Sequence, residues 1–198
     1  DIDQVTEGAR AAVDLSRNYH LSNQPMTCEF GTIPSNFLSL VRPDGALELY
    51  DGRLRARNQD GGTIFDQVSD QTYRNHIREA VRNWSYMKFP FLTDVGEETG
   101  WYRVCPLARV NNCDYIDTPL AEEERLLFKE HGHGGMLHAP LAYHWARMIE
   151  LLHCAEKIRG LLDDPESLGT DLGNREQHQT GFGIGVIEAT RGTLFHHY

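Results

Sequence analysis

The side chains most able to do chemistry lie at the end of the chain. Glu188-Ala189-Thr190-Arg191-Gly192-Thr193-Leu194-Phe195-His196-His197-Tyr198 brings together an acid, an arginine, a glycine and two histidines. The stretch reads as a short strand running into a turn that presents Arg191. Gly192 next to it permits close backbone approach. Arginine is always charged and offers five donors in a planar fork, so Arg191 suits holding an anion or standing as a fixed charge over a reacting centre. An ordinary surface arginine is the competing reading. His131-Gly132-His133, with His138 nearby, has metal-ligand residue types. It lacks the i, i+4 spacing that sets two histidines on one helix face, and no carboxylate or cysteine stands at a matching offset. Solvated loop histidines are expected there, and no metal ligands are assigned.

Two other groups carry weaker signals. Gly181-Phe182-Gly183-Ile184-Gly185 lacks the G-x-G-x-x-G spacing of a dinucleotide site and no βαβ unit surrounds it, so it reads as backbone free to approach another surface. Cys105 and Cys113 flank Arg109, but no histidine is close enough in sequence to activate a thiol. With Cys28 and Cys154 they form no pair two or three residues apart, which excludes a zinc ribbon or a thioredoxin-like motif. Reduced, mostly buried thiols are expected.

The elements that must position these groups are mostly helical. Ile2, Val5, Ala9, Ala12, Val13 and Tyr19 fall at roughly helical spacing over residues 2–20. A loop with Pro25 and Pro34 follows. Asp44-Gly45, Asp51-Gly52 and Asp60-Gly61 are tight-turn signals. With the alternating pieces Ala46–Tyr50 and Arg53–Arg57 between them, they predict a small antiparallel meander over 38–66. Tyr73, Ile77, Ala80, Val81 and Trp84 then make a helical stripe, capped by Ser69 or Asp70. Residues 84–109, broken by Pro90 and Pro106, read as extended chain and loops. Thr118-Pro119 starts another helix, with Glu122, Glu123 and Glu124 at its positive end. The strongest helix runs from Pro140 to Leu162 along Leu141, Trp145, Met148, Ile149, Leu152, Ala155, Ile158 and Leu162, and Asp163-Asp164-Pro165 ends it. At about 1.5 Å per residue it spans roughly 35 Å. The tail over 169–198 is Gly-rich.

Composition narrows the function classes. With 40% apolar and 24% charged residues the chain can build a core, and its net charge of −10 argues against a nucleic-acid groove. No apolar run reaches the roughly 18–20 residues that cross a bilayer. The chain opens on Asp1 rather than Met and closes on an aromatic-rich Phe195-His196-His197-Tyr198, so a stretch from inside a longer protein is expected.

At Glu188–Leu194 the chain resembles the large, catalytic subunit of nickel–iron hydrogenases, whose matching stretch reads Glu-Ala-Pro-Arg-Gly-(Thr/Ala)-Leu followed by His. Further motifs resemble the branch that couples hydrogen to nicotinamide: Pro34–Phe37, Leu47–Arg55, Trp84–Pro90, Trp101–Val104, Cys105–Asn111 and Asp117–Ala121. Together they cover nearly the whole chain. The resemblance implies one partial domain over 1–198, mainly α with the β meander as an excursion and long central helices. It implies reversible splitting of hydrogen at a nickel–iron centre whose iron carries carbon monoxide and cyanide. Arg191 would hang above the metals as the catalytic residue, with Ala189 and Thr190 lining the same canopy and Glu188 and His196 in supporting places. Implied partners are a small subunit with an iron–sulfur cluster and diaphorase subunits with flavin and NAD, in the cytoplasm, with no nucleic acid and no membrane. The departures are Thr190 where proline is usual, Cys105 where glycine is usual, and the absence of the two Cys-x-x-Cys pairs that hold the metals near the ends of the full subunit. An alternative is a non-catalytic scaffold relative of the respiratory complex I type, which lacks those cysteines.

Overall fold

A computed structural model describes residues 1–170, 173 and 181–198; the parts of the Gly-rich tail at 171–172 and 174–180 lie outside the described residues. Helix α1 (Ile2–Ser22) and the short α2 (Met26–Glu29) lead into strands β1 (Asn36–Val41), β2 (Arg53–Arg57) and β3 (Thr63–Val68). A 3-10 turn over Asp70–Asn75 precedes β4 (Ile77–Val81), β5 (Lys88–Leu92) and β6 (Tyr102–Arg103). Helices α3 (Cys105–Asn112), α4 (Pro119–His131) and α5 (Ala142–Asp163) follow, and β7 (Ile184–Ala189) with β8 (Gly192–His197) closes the chain. The architecture is mixed α/β, with three small sheets among the helices, rather than mainly α with one meander.

The four-stranded sheet runs β3-β2-β1-β6. β1 pairs antiparallel with β2, placing Leu38 opposite Ala56 and Leu40 opposite Leu54, and pairs parallel with β6. Every residue of β1 is buried because both faces are covered. Successive side chains of a strand point to opposite faces, so Phe37 and Val41 join a helical core with Leu107, Phe128, Trp145 and Ile149. Leu38 and Leu40 join a second core with Leu54, Phe65, Ile77 and Leu92, against which Val186 and Phe195 pack. One strand thus carries the helices on one side and the β7–β8 hairpin on the other.

The first helix, the α4 helix and the α5 helix stand where the pattern places them. The meander does too, except that Ala46–Tyr50 forms only isolated bridges to Val41 and Tyr115. In α5, Trp145, Ile149, Leu152 and Ala155 are buried while Ile158 and Leu162 are exposed, so the apolar stripe is covered only along its first half. Asp163–Pro165 ends the helix as expected. At the start of α4, the Thr118 hydroxyl lies 2.9 Å from His153 Nδ1 instead of capping. The Glu156 carboxylate from α5 takes over, accepting from the Leu120 and Ala121 amides at 3.0 Å each.

Two elements differ from expectation. The helical stripe through Tyr73, Ile77, Ala80, Val81 and Trp84 is instead the 3-10 turn and β4, which zips onto β5 from Ile77↔Leu92 to Val81↔Lys88. Ser69 does cap, accepting from the Gln71 amide, but it starts only the short turn. Cross-strand pairing of β-branched and aromatic residues overrides a period that a short segment satisfies by chance. The second difference is α3, inside a stretch read as loop. Pro106 sits in its first turn, where a missing amide hydrogen costs nothing.

The first residue of α3, Cys105, has φ +76°, a left-handed backbone that suits glycine. The glycine that the resemblance implies at this position would adopt that backbone without strain. Cys105→Gly is expected to leave thermal and urea stability of the full-length protein unchanged or raised by up to about 1 kcal/mol, because relieved backbone strain offsets the added chain entropy. A loss above about 2 kcal/mol would show that thiol packing outweighs the strain.

Candidate functional site

Strands β7 and β8 form a hairpin whose two-residue turn is Thr190-Arg191, with Ala189 paired to Gly192 and Glu188 to Thr193. The reading of a strand leading into a turn that presents Arg191 is what the structure contains. Gly192 has φ +149°, and a Cβ there would lie 2.8 Å from Val104 Cγ2, so the hairpin seats against the β6–α3 junction only with glycine. Val186 and Phe195 pack onto the second core, and the Phe195 ring lies 4.3 Å from that of Tyr73.

The turn is held from beneath by a buried ionic network. Arg109 of α3, 2% exposed, grips the carboxylate of Glu150 on α5 through Nε and Nη2, the latter at 2.8 Å. Its Nη1 donates to Glu188 Oε2 at 2.8 Å and to the Ala189 carbonyl at 3.0 Å. The other oxygen of Glu188 accepts from the Leu40 amide at 2.8 Å and the Thr193 hydroxyl at 3.1 Å, and the Glu188 amide donates to Leu49 O at 2.9 Å. Burial works against the charge on Arg109, but its bonds with Glu150 and Glu188 outweigh that and raise its pKa above the ordinary arginine value. From α5, Arg147 Nη1 donates to the Thr190 carbonyl at 2.8 Å. Two arginines on two helices therefore fix consecutive carbonyls just before Arg191.

Arg191 itself is exposed and makes no ion pair among the described residues. Thr190 is exposed and Ala189 half-buried, and both line a cavity of about 330 Å3 with Leu49, Met148, Leu151 and Cys154. Glu188, Ala189, Thr190 and Arg191 are thus brought together, with Glu188 as the buried anchor beneath the turn. His196 is not with them. It faces Gly185 four residues along β8 from Gly192, roughly 13 Å at strand rise, and its ring stacks with Tyr198. The strand register carries it to the opposite end of the hairpin from Arg191.

Sequence alone does not single out Arg109 or Glu150. Each reads as an ordinary charge, Arg109 in a stretch without helical pattern and Glu150 on the polar face of α5. The signal available is the place of Arg109 inside the long motif Cys105–Asn111. All four thiols are unpaired, but only Cys113 is buried; Cys28, Cys105 and Cys154 are half-buried rather than buried as expected. Burial pushes the Cys105 and Cys154 thiols up and takes Cys113 to about 12. Burial thus favours the neutral thiol at these three positions. The exposed Arg191 fork, by contrast, fits an anionic group placed above it.

The histidine expectation holds only in part. His133 is exposed, but His131 is the last residue of α4 and its Nε2 lies 3.1 Å from His20 Nε2. His138 stacks on Phe37 and lies 2.8 Å from Gln59 O. The glycine run enters β7 at Ile184, with Gly183 and Tyr198 exchanging backbone bonds, so it serves as hairpin end.

No protein-family model matches the chain. It is 39% identical over 200 residues to the beta subunit of the NAD-reducing hydrogenase HoxS of Cupriavidus necator, a match that covers all of this chain and 41% of that protein. It is 37% identical over 198 residues to an F420-non-reducing hydrogenase (vhu) subunit of Methanococcus voltae, covering 46% of it. The crystal structure of an NAD+-reducing NiFe-hydrogenase in the H2-reduced state superposes over the whole chain with TM-score 0.92 at 44% identity, and 44% of that chain is covered.

The homologues of this chain are hydrogenase subunits. It spans less than half the length of these relatives. The hydrogenase resemblance read from sequence is supported at that level, over the full chain and at the level of fold.

Removal of the central cation tests the network. Arg109→Met leaves Glu150 and Glu188 buried without a counter-ion, and the full-length protein should lose about 3–5 kcal/mol of unfolding free energy in urea. A loss under about 1 kcal/mol would mean that the network does not hold the hairpin.

Proposed function

We propose that this chain is the middle portion of the catalytic large subunit of a nickel–iron hydrogenase that oxidises hydrogen reversibly and passes electrons to NAD(P) through partner subunits. The observation that carries the reading is the clamped turn. A guanidinium with no carboxylate partner among the described residues stands on a hairpin whose preceding carbonyls are each bonded by an arginine. Homology to hydrogenase subunits over the whole chain supports it, as does the likeness to an NAD+-reducing NiFe-hydrogenase.

In this reading a nickel–iron centre carrying carbon monoxide and cyanide, held by thiolates from outside these residues, supplies the redox chemistry of hydrogen splitting. The residues of this chain supply position and charge. Arg191 donates its planar fork to an anionic ligand of the centre and keeps a fixed positive charge where charge develops. Because Ala189 and Thr190 are held through their carbonyls, that charge needs no reorganisation when the reaction occurs. Ala189 and the Thr190 side chain line the same canopy. Glu188 acts through Arg109 and is a positioning residue. The small subunit with its iron–sulfur cluster, the diaphorase subunits with flavin and NAD, and the cytoplasmic location belong to the same proposal. No helix among the described residues is long and apolar enough to cross a membrane.

In the complete enzyme, Arg191→Lys should lower hydrogen turnover at least tenfold (about 1.4 kcal/mol of barrier) with nickel and iron content retained, because an ammonium cannot reproduce the fork. Near-normal hydrogen uptake with retained metals would overturn the assignment. A full-length protein that contains no nickel would favour the scaffold relative.

A further inference from the structure

Away from the hairpin, three side chains from three helices converge on one point. His20 lies in the last turn of α1, Cys28 in α2 and His131 at the last position of α4. His131 Nε2 is 3.1 Å from His20 Nε2, 3.7 Å from Cys28 Sγ and 3.5 Å from the Gln24 side-chain amide. The ligand atoms of the two histidines and the cysteine all lie within 4.8 Å of one another. A ring nitrogen has one lone pair or one N–H, so His131 Nε2 can satisfy only one of these neighbours by hydrogen bonding. A cation between them would satisfy all three ligand atoms at once.

Both spacings made by His131 are close to those of coordination. Four-coordinate zinc, with about 2.0–2.1 Å to nitrogen and about 2.3 Å to sulfur, sets two nitrogen ligands about 3.3 Å apart and nitrogen and sulfur about 3.6 Å apart. The observed 3.1 and 3.7 Å lie within a few tenths of an ångström of those values. The helix ends also help. His20 and His131 both sit where helix dipoles present their negative end, which favours a cation.

We propose that His20, Cys28 and His131 bind a divalent first-row metal of zinc type, with two nitrogens and one sulfur as protein ligands. The fourth position opens on a cavity of about 450 Å3 lined by Gln24, Glu130 and His133, where water completes the shell. The ion staples the α1–α2 corner to the end of α4. His20 Nδ1 is buried with no hydrogen-bond partner among the described residues, so the ring is oriented by packing at 5.8 Å from Trp145 rather than by an outer acceptor. That arrangement makes the site weaker than a fully supported structural zinc site. It is independent of the nickel–iron assignment, whose ligands lie elsewhere.

Cobalt(II) provides the test. Full-length protein dialysed against chelator is titrated with cobalt(II) alone, alongside Cys28→Ser, Cys28→His and His131→Gln. The wild type should take up one ion more than Cys28→Ser, with the visible intensity of four-coordination and a thiolate-to-metal absorption. Cys28→His should keep the ion and lose that absorption, and His131→Gln should bind at least tenfold more weakly. Zinc should raise the melting temperature of wild type and Cys28→His but not of Cys28→Ser. Identical cobalt spectra and affinity in wild type and Cys28→Ser would overturn the site, as would a zinc-induced stabilisation that Cys28→Ser retains.

Discussion

The Arg109 guanidinium links three elements that are far apart in sequence. It stands on α3, faces Glu150 on α5 and reaches Glu188 and the Ala189 carbonyl on the terminal hairpin. Two carboxylates flank one largely buried cation, so any one partner without the others would leave a poorly solvated charge. The network is therefore a constraint more than a source of stability, because it admits a single mutual placement of the helices and the hairpin. The exposed Arg191 inherits that placement. Nothing among the described side chains pairs with its own fork, so the turn that carries it is held only from beneath.

β1 supplies the mechanical counterpart. Phe37 and Val41 on one face and Leu38 and Leu40 on the other tie the helical core to the core under the hairpin. The Leu40 amide also donates to Glu188, so the strand that separates the two cores belongs to the ionic network as well. The α5 face at Ile158, Leu161 and Leu162 remains exposed, in keeping with a chain spanning less than half of its hydrogenase relatives.

Much of this was legible because it is local. A helix such as α5 declares itself through an apolar stripe that repeats along its sequence, and the hairpin at Arg191 through one turn flanked by strand formers. β4 was not legible, because Ile77, Ala80 and Val81 satisfy a helical period and only their pairing with Leu92, Phe89 and Lys88 decides otherwise. The site divides in the same way. Glu188 through Arg191 are consecutive and carry a motif, whereas Glu150 joins Arg109 across 41 residues and Glu188 across 79. His196 is close to Arg191 in sequence but far in space, because a strand carries its residues steadily away from the turn. The His20–Cys28–His131 cluster could not be found by spacing within one segment, since His131 meets His20 over 111 residues.

The central claim is that the buried network immobilises the turn beneath Arg191. Amide hydrogen exchange of the hairpin in the full-length protein, compared between wild type and Glu150→Gln, addresses it most directly. The Glu188 amide, bonded to Leu49 O, and its neighbours through Gly192 should exchange at least tenfold faster in the variant, while the β1–β2 ladder is unchanged. Equal exchange at the hairpin in both proteins would contradict the account.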